Sequence, residues 1–391
     1  MGSASMKRNL FNRRNLMIAG TAALLAGCQV IPKTGPATTT AEPTPEPSAT
    51  ALPTDETRHR VALLVPLSGT NGAVGQSIAN ATTMALLDTN AGNLRITTYD
   101  TAQGARSAAE RAVADGNRLI LGPLLSDNVP QVLASARGAK VPLISFSNDT
   151  SVAAGDVFVM GHIPEESINR TVAYARRLGA NRFAALLPTG DYGQRAESAL
   201  DNALREYGGL LASAERYARG NTSIVSAAQR LKGRGGYDTV LIADGARLAT
   251  QAAGELRSGD GAGTRILGTE LWSGEASLSR ASALTGALFS AVSDQRYKRY
   301  SDSYESRFGS KPFRISTLGY DAVLLTLRVA RGWRVGGAFP IPQLRDSGGF
   351  LGLDGAFRFG RNGVVERAME VRQVKNGDVT VVDAAPTRFT D

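Results

Sequence analysis

The feature that most constrains this chain is an alternation that begins near residue 59 and continues past residue 290. Short apolar, β-rich runs are separated by segments whose apolar positions recur at helical spacing. Strands are predicted at Val61–Val65, Leu94–Tyr99, Leu119–Leu121, Val141–Ser145, Arg182–Leu187, Asp238–Ala243, Arg265–Leu267 and Ala287–Val292. Helices are predicted between them at Ala105–Ala114, Glu165–Leu178, Arg195–Tyr207, Ile224–Leu231 and Leu248–Leu256. Such an order implies a mostly parallel sheet covered by helices. Pro164 at a first helical position, Glu165 and Glu166 beside it and Gly179 beyond Leu178 give one helix clear start and stop signals. The two carboxylates are neighbours in sequence but face different directions on a helix, so they read as partners of the helix dipole rather than as a catalytic pair.

The last part changes style. Helices around Tyr297–Phe308 and Thr317–Trp333 precede strands near Ala356–Phe359, Val364–Val374 and Val379–Val382, with Asn376-Gly377 as the hairpin signal between the final two. The predicted fold class is α/β, with two doubly wound, Rossmann-like lobes joined by a hinge that the chain crosses three times. Lobe 1 is expected at about 59–161 and 288–360, lobe 2 at about 162–287 and 361–391.

The residue inventory narrows the chemistry. One cysteine and two histidines, Cys28, His59 and His162, cannot supply a disulfide or a tetrahedral zinc site. The chain has no G-x-S-x-G elbow and no S-x-x-K, and the glycine-rich stretches at Gly233–Gly236 and Gly259–Gly263 lack phosphate-loop spacing. No catalytic residues, metal or cofactor are expected. The formal charge of +9 includes Lys7, Arg8, Arg13 and Arg14; without them about +5 remains, too little over so long a chain to single out nucleic acid.

Those four cations precede an apolar run from Leu16 to Leu25, shorter than the roughly twenty residues that span a bilayer. Residues 1–27 therefore read as a signal peptide. Leu25-Ala26-Gly27-Cys28 resembles the bacterial lipobox, which implies lipidation of Cys28 and a membrane anchor. From Cys28 to about Arg58 the chain is rich in Thr, Pro, Ala and Glu, with Pro43, Pro45, Pro47 and Pro53 and no aromatic residue, so it is expected to be a disordered tether.

Val61–Gly69 followed by Gly75-Gln76 resembles the opening of the type I periplasmic binding fold, in its leucine/isoleucine/valine-binding group. Gly122–Ser126, Val141–Asn148, Tyr192-Gly193, Gly319–Ala322 and Gly349–Gly355 follow in that family's order. Within the superfamily, Tyr99-Asp100-Thr101, Gly122–Leu125 with Asn128-Val129, and Ser145–Asp149 look most like the lipoproteins called penicillin-binding protein activators. That resemblance implies a periplasmic protein anchored by lipid, most naturally to the outer membrane, whose partner is a bifunctional penicillin-binding protein in peptidoglycan synthesis. The helical-repeat domain that some activators carry is missing here. The alternative is a receptor for amino acids or similar small polar ligands feeding an ABC transporter.

In an open α/β sheet, loops at the carboxyl ends of the strands converge on the ligand crevice. This places Ser68, Ser126, Ser145, Ser147 and Asn148 on one side, with hydroxyls suited either to a carboxylate or to helix capping. Tyr192, Glu270 and Trp272 are the candidates from the second lobe. The resemblance to amino-acid receptors implies that Glu270 meets a ligand ammonium; Trp272 is read equally as packing.

Overall fold

The computed structural model describes residues 57–220, 223–386 and 389. The leader, Cys28 and all of the tether before Thr57 lie outside them.

The first sheet has five parallel strands in the order β2-β1-β3-β4-β5. It is built from β1 (His59–Val65), α1 (Gly72–Asp88), β2 (Leu94–Asp100), α2 (Ala105–Ala114), β3 (Leu119–Leu121), α3 (Val129–Ala136), β4 (Leu143–Ser145) and β5 (Val157–Val159). Val61 to Val65 are fully buried, because helices cover both faces of a parallel sheet and no side of the strand meets water. Val61, Leu63 and Val65 face one core layer, while Ala62 and Leu64 face the layer under α2 and α3.

The second sheet has seven strands in the order β15-β14-β10-β9-β8-β6-β7. Its elements are α4 (Pro164–Arg177), β6 (Arg182–Pro188), α5 (Asp191–Tyr207), β7 (Leu210–Tyr217), α6 (Ser223–Arg234), β8 (Thr239–Ile242), α7 (Ala246–Leu256), β9 (Arg265–Leu267) and β10 (Leu288–Ala291). The chain then runs through α8 (Tyr297–Phe308) and α9 (Thr317–Ala330), and makes a small antiparallel sheet of β11 (Phe350–Gly352), β12 (Gly355–Phe359) and β13 (Val365–Arg367). The hairpin of β14 (Glu370–Lys375) and β15 (Asp378–Asp383) completes the second sheet, turning at Gly377 with φ 82°.

Both halves open with the same device. Gly75 at the start of α1 lies so close to Pro66 that a Cβ would sit 1.7 Å from its carbonyl oxygen, and Gly193 in α5 stands 1.8 Å from that of Pro188. Only glycine lets the helix after each half's first strand press on the strand end beneath it.

The structure moves two expected boundaries. Leu288–Ala291, expected to begin the return to the first lobe, pairs in parallel with β9 and antiparallel with β14, so the chain leaves the second sheet only after it. The expected strand Val364–Val374 is two strands. β13 pairs with β12, whose Phe357 and Phe359 belong to the first core, and β14 pairs with β10; Ala368 and Met369 carry the chain between them. Strands β5, β7 and β11 and helix α3 were not anticipated. Helix α9 ends at Ala330, short of the expected Trp333, whose ring instead stacks on His59 at 4.2 Å.

Candidate ligand-binding cleft

The loops after β1, β3 and β4 form one wall. Asp100, at the end of β2, accepts the Leu67 and Ala102 amides at 2.8 and 2.9 Å, which fixes the β1 loop and leaves Ser68 exposed on it. Ser126 heads a single 3-10 turn leading into α3 and is partly exposed. Ser145 is fully buried: its hydroxyl donates to the Pro123 carbonyl at 2.9 Å and accepts the Ser147 amide at 3.2 Å. It braces two loops and is not a ligand contact. Ser147 Oγ accepts the Asp149 amide at 3.0 Å, and its own proton is committed to no acceptor among the described residues. Asn148 is exposed at the rim.

The opposing wall comes from the second sheet. Tyr192, in the first turn of α5, donates to Glu270 Oε1 at 3.0 Å and lies 2.9 Å from the Thr269 hydroxyl. The Arg219 guanidinium, after β7, lies 5.1 Å from the Tyr192 ring centre and donates to Asp244 at 2.9 Å, which also accepts from Tyr217 at 2.8 Å. Glu270 Oε2 is buried with no hydrogen-bond partner. Burial raises the Glu270 carboxyl to about 7, against the opposing pull of the Tyr192 hydrogen bond. Trp272 does not reach the cleft. It is fully buried, donates Nε1 to the Asp244 carbonyl at 2.8 Å, packs on Phe289 at 5.5 Å and lies over Gly268, where a Cβ would come within 2.4 Å of the indole.

A residue that sequence reading missed joins the walls. Arg195, one turn along α5 from Tyr192, makes a bidentate pair with Glu165 at 2.7 Å for each contact. It also donates to the Asn148 carbonyl of the other lobe at 2.6 Å. Asp149 and Glu270 lie within its electrostatic reach, so the cleft brings the Asn148–Asp149 rim up to Tyr192 and Glu270. The spacing of Tyr192 and Arg195, three residues apart on one helix face, was the available signal. Glu166 points away from Glu165, as the helix geometry requires. Its Oε1 accepts the Arg367 amide at 2.8 Å, and burial raises its carboxyl to about 8.

Behind the cleft, buried charges tie the three crossings together. Asp354 accepts from Arg314 at 2.6 Å and Thr317 at 2.9 Å and lies 2.8 Å from His162 Nε2. Arg367, at the third crossing, donates to the Met160 carbonyl at 2.6 Å beside the first. At the second, Asp294 meets both Arg314 at 3.5 Å and Arg372. Burial alone would raise the Asp354 carboxyl, but Arg314, His162 and Arg367 together hold it well below the usual range. Its charge, added to burial, pushes neighbouring Asp321 up to about 7. Burial lowers the His162 pKa, with Asp354 opposing. Among the described residues no group of three or more His, Cys, Asp or Glu is placed to hold a metal, and no helix is long and apolar enough to cross a membrane.

This arrangement has relatives. The chain is 28% identical over 173 residues to an uncharacterized protein of Rickettsia prowazekii, a match that covers 44% of this chain and 46% of that one, so it spans about half the length of the curated relative. It is similar in structure to a leucine binding protein of Thermotoga maritima, with 20% identity, a TM-score of 0.61 and coverage of 84% of this chain and 98% of that one. A branched-chain amino acid transporter substrate binding protein of Streptococcus pneumoniae, solved with isoleucine, gives 20% identity and 0.63 over 84% and 100%. A solute binding protein of R. palustris, solved with benzoate, gives 16% and 0.62 over 85% and 98%. The periplasmic binding protein family matches residues 59–378, and this chain belongs to it.

Proposed function

We propose that this chain is a receptor whose inter-lobe cleft takes a small polar ligand bearing an ammonium group, of the amino-acid kind. The family carries a binding role, not a catalytic one, and a periplasmic setting. The observation behind the finer reading is Glu270. One carboxylate oxygen is held by Tyr192 while the other is buried and unpartnered. A buried carboxylate oxygen without a hydrogen-bond donor is costly, and a ligand ammonium would supply that donor together with a charge in direct contact. Across the cleft, the uncommitted Ser147 proton and the Ser126 hydroxyl suit the ligand's anionic end. The solved relatives whose ligands are isoleucine and benzoate, both carboxylates, agree with that polarity.

Calorimetric titration with the twenty amino acids and simple carboxylates tests the reading. Saturable binding that is lost in Glu270→Gln supports it, and no binding by any amine-bearing ligand refutes it.

A second reading is supported by Tyr99–Thr101, Gly122–Val129 and Ser145–Asp149, which look like penicillin-binding protein activators, and by the leader that ends at Cys28. In that reading an acylated Cys28 anchors the protein to the outer membrane and residues 28–58 carry it to a peptidoglycan synthase. The Arg195 bridge between lobes, made from the protein's own side chains, suits a fixed docking surface. Stimulation of a native bifunctional synthase by the purified protein, together with no ligand binding, would favour this reading.

A further inference from the structure

Glu270 Oε2, the unpartnered acceptor of the cleft, is shut away from solvent. Two contacts join the lobes close to it. Arg195, on α5 of the second lobe, donates through Nη2 to the Asn148 carbonyl of the first at 2.6 Å. The aliphatic stem of Arg314 lies against Gly274, where a Cβ would stand 3.4 Å from Cδ. Arg314 belongs to the first lobe, because the Phe313 amide before it donates to Ser77 of α1 at 3.1 Å and Asp354 holds its guanidinium. Gly274 belongs to the second, just beyond the turn in which the Ser273 amide donates to the Glu270 carbonyl at 2.9 Å.

The two contacts differ in what holds them. Arg314 is tied into the buried hinge network by Asp354 and is a fixed stop. Arg195 keeps 20% of its side chain exposed at the rim, so it can let go without disturbing a core. A brace between α4 and α5 accounts for its two bonds to Glu165, since both residues lie in the second lobe. That brace does not account for the third bond, which leaves the lobe to reach Asn148. Nor does it account for Asp149, a first-lobe carboxylate within electrostatic reach of the same guanidinium. Opening the lobes would break the bond and part the cation from that carboxylate.

We propose that Arg195 is a latch that keeps the two lobes closed on one another without any ligand, and that the cleft opens when Nη2 releases the Asn148 carbonyl. The inference stands whichever reading of the cleft holds. In a receptor, the latch lowers the apparent affinity in proportion to the open fraction. In a docking protein, it holds one fixed face toward the partner.

The test measures lobe separation directly, by double electron–electron resonance on the full chain with Cys28→Ser replacing its one native cysteine. Spin labels are placed at Ala102→Cys, after β2, and Arg247→Cys, in the first turn of α7; both positions are exposed, one on each lobe. The protein is unfolded and refolded first, which strips any co-purified ligand. The ligand-free parent should show mainly one short separation. A hydrogen bond from a charged donor shifts an equilibrium by roughly tenfold or more, so Arg195→Gln should lower the closed-to-open ratio by about that factor and bring in a longer separation. Asp149→Asn, which loses the charge but keeps an acceptor for the Ser151 amide, should shift the ratio the same way by roughly threefold. It decides the matter if Arg195→Gln does not refold. Asn169→Ala cuts the 3.0 Å bonds from α4 to Glu206 and Tyr207 at the far end of the same helix pair, and should leave the separation unchanged. A ligand-free parent that is mainly open, an unchanged distribution in the rim variants, or equal opening in Asn169→Ala overturns the proposal.

Discussion

Tyr192 and Glu270 meet across a 3.0 Å hydrogen bond that fixes one carboxylate oxygen and leaves the other buried without a partner. The hinge behind the cleft carries buried unpartnered atoms too, on Asp294, Arg314 and Arg367, but there cations and carboxylates already face one another. Asp354 itself accepts from Arg314 and Thr317 and lies against His162, so both of its carboxylate oxygens are engaged.

The hinge network should be a stability element. Replacing Asp354 with Ala leaves Arg314 and Arg367 buried beside an empty position, and removing one partner of a buried ion cluster costs about 3–5 kcal/mol. Chemical denaturation should show that loss. Because the folded pKa of Asp354 is depressed, its contribution is present above the ordinary carboxylate range and disappears as pH falls below it. A loss under 1 kcal/mol near neutral pH would mean that the crossings are held by other contacts.

Trp272→Ala tests whether that residue packs or binds. It is fully buried against Phe289 and Gly268, so truncation should cost about 3–5 kcal/mol of stability. In the less disruptive Trp272→Phe, ligand affinity should stay within a few-fold of the parent. A large affinity change with little change in melting temperature would return Trp272 to the cleft.

Glu166 should make stability fall with rising pH. Its carboxyl is raised from 4.5 to about 8 in the folded protein, so between those values the folded state holds a proton that the unfolded state has lost. Stability is then greatest below the unfolded pKa and declines as pH rises toward 8, by about 1.4 kcal/mol per unit for a full proton. Glu166→Gln removes the titration and can still accept the Arg367 amide. The variant should therefore gain on the parent from pH 5 to pH 8 and hold a constant lead above it. Parallel stability curves would contradict the burial of this charge.

The legible parts of the sequence were those where one physical demand dominated. The apolar β1 run, buried on both faces, could only be an interior strand, and Pro164 with its two glutamates could only start a helix. Strand β7, Leu-Leu-Ala-Ser-Ala-Glu-Arg-Tyr, has an exposed outer edge and mixed polarity, so neither an apolar run nor a clean alternation marks it. The start of α5 was placed four residues late because Gly193 lowers helix propensity, whereas the glycine is required there by contact with Pro188. In the cleft, Tyr192 and Glu270 were named as candidates from their positions after strands, and the fold brings the two side chains together. Ser145 and Trp272 satisfied the same rule, but in the fold their polar atoms are taken by backbone carbonyls. Arg195 stayed hidden because Glu165 and Asn148 lie far from it in sequence.

The most direct measurement is the pH dependence of ligand affinity, by calorimetry with the best-binding amino acid, for the parent and Glu270→Gln. An ammonium needs the ionised carboxylate, and burial holds that group near 7. Affinity should therefore rise about tenfold per unit as pH climbs toward 7, level off above it, and become weak and nearly pH-independent in Glu270→Gln. No binding by any amine-bearing ligand, or binding whose strength and pH profile survive the substitution unchanged, would contradict the account.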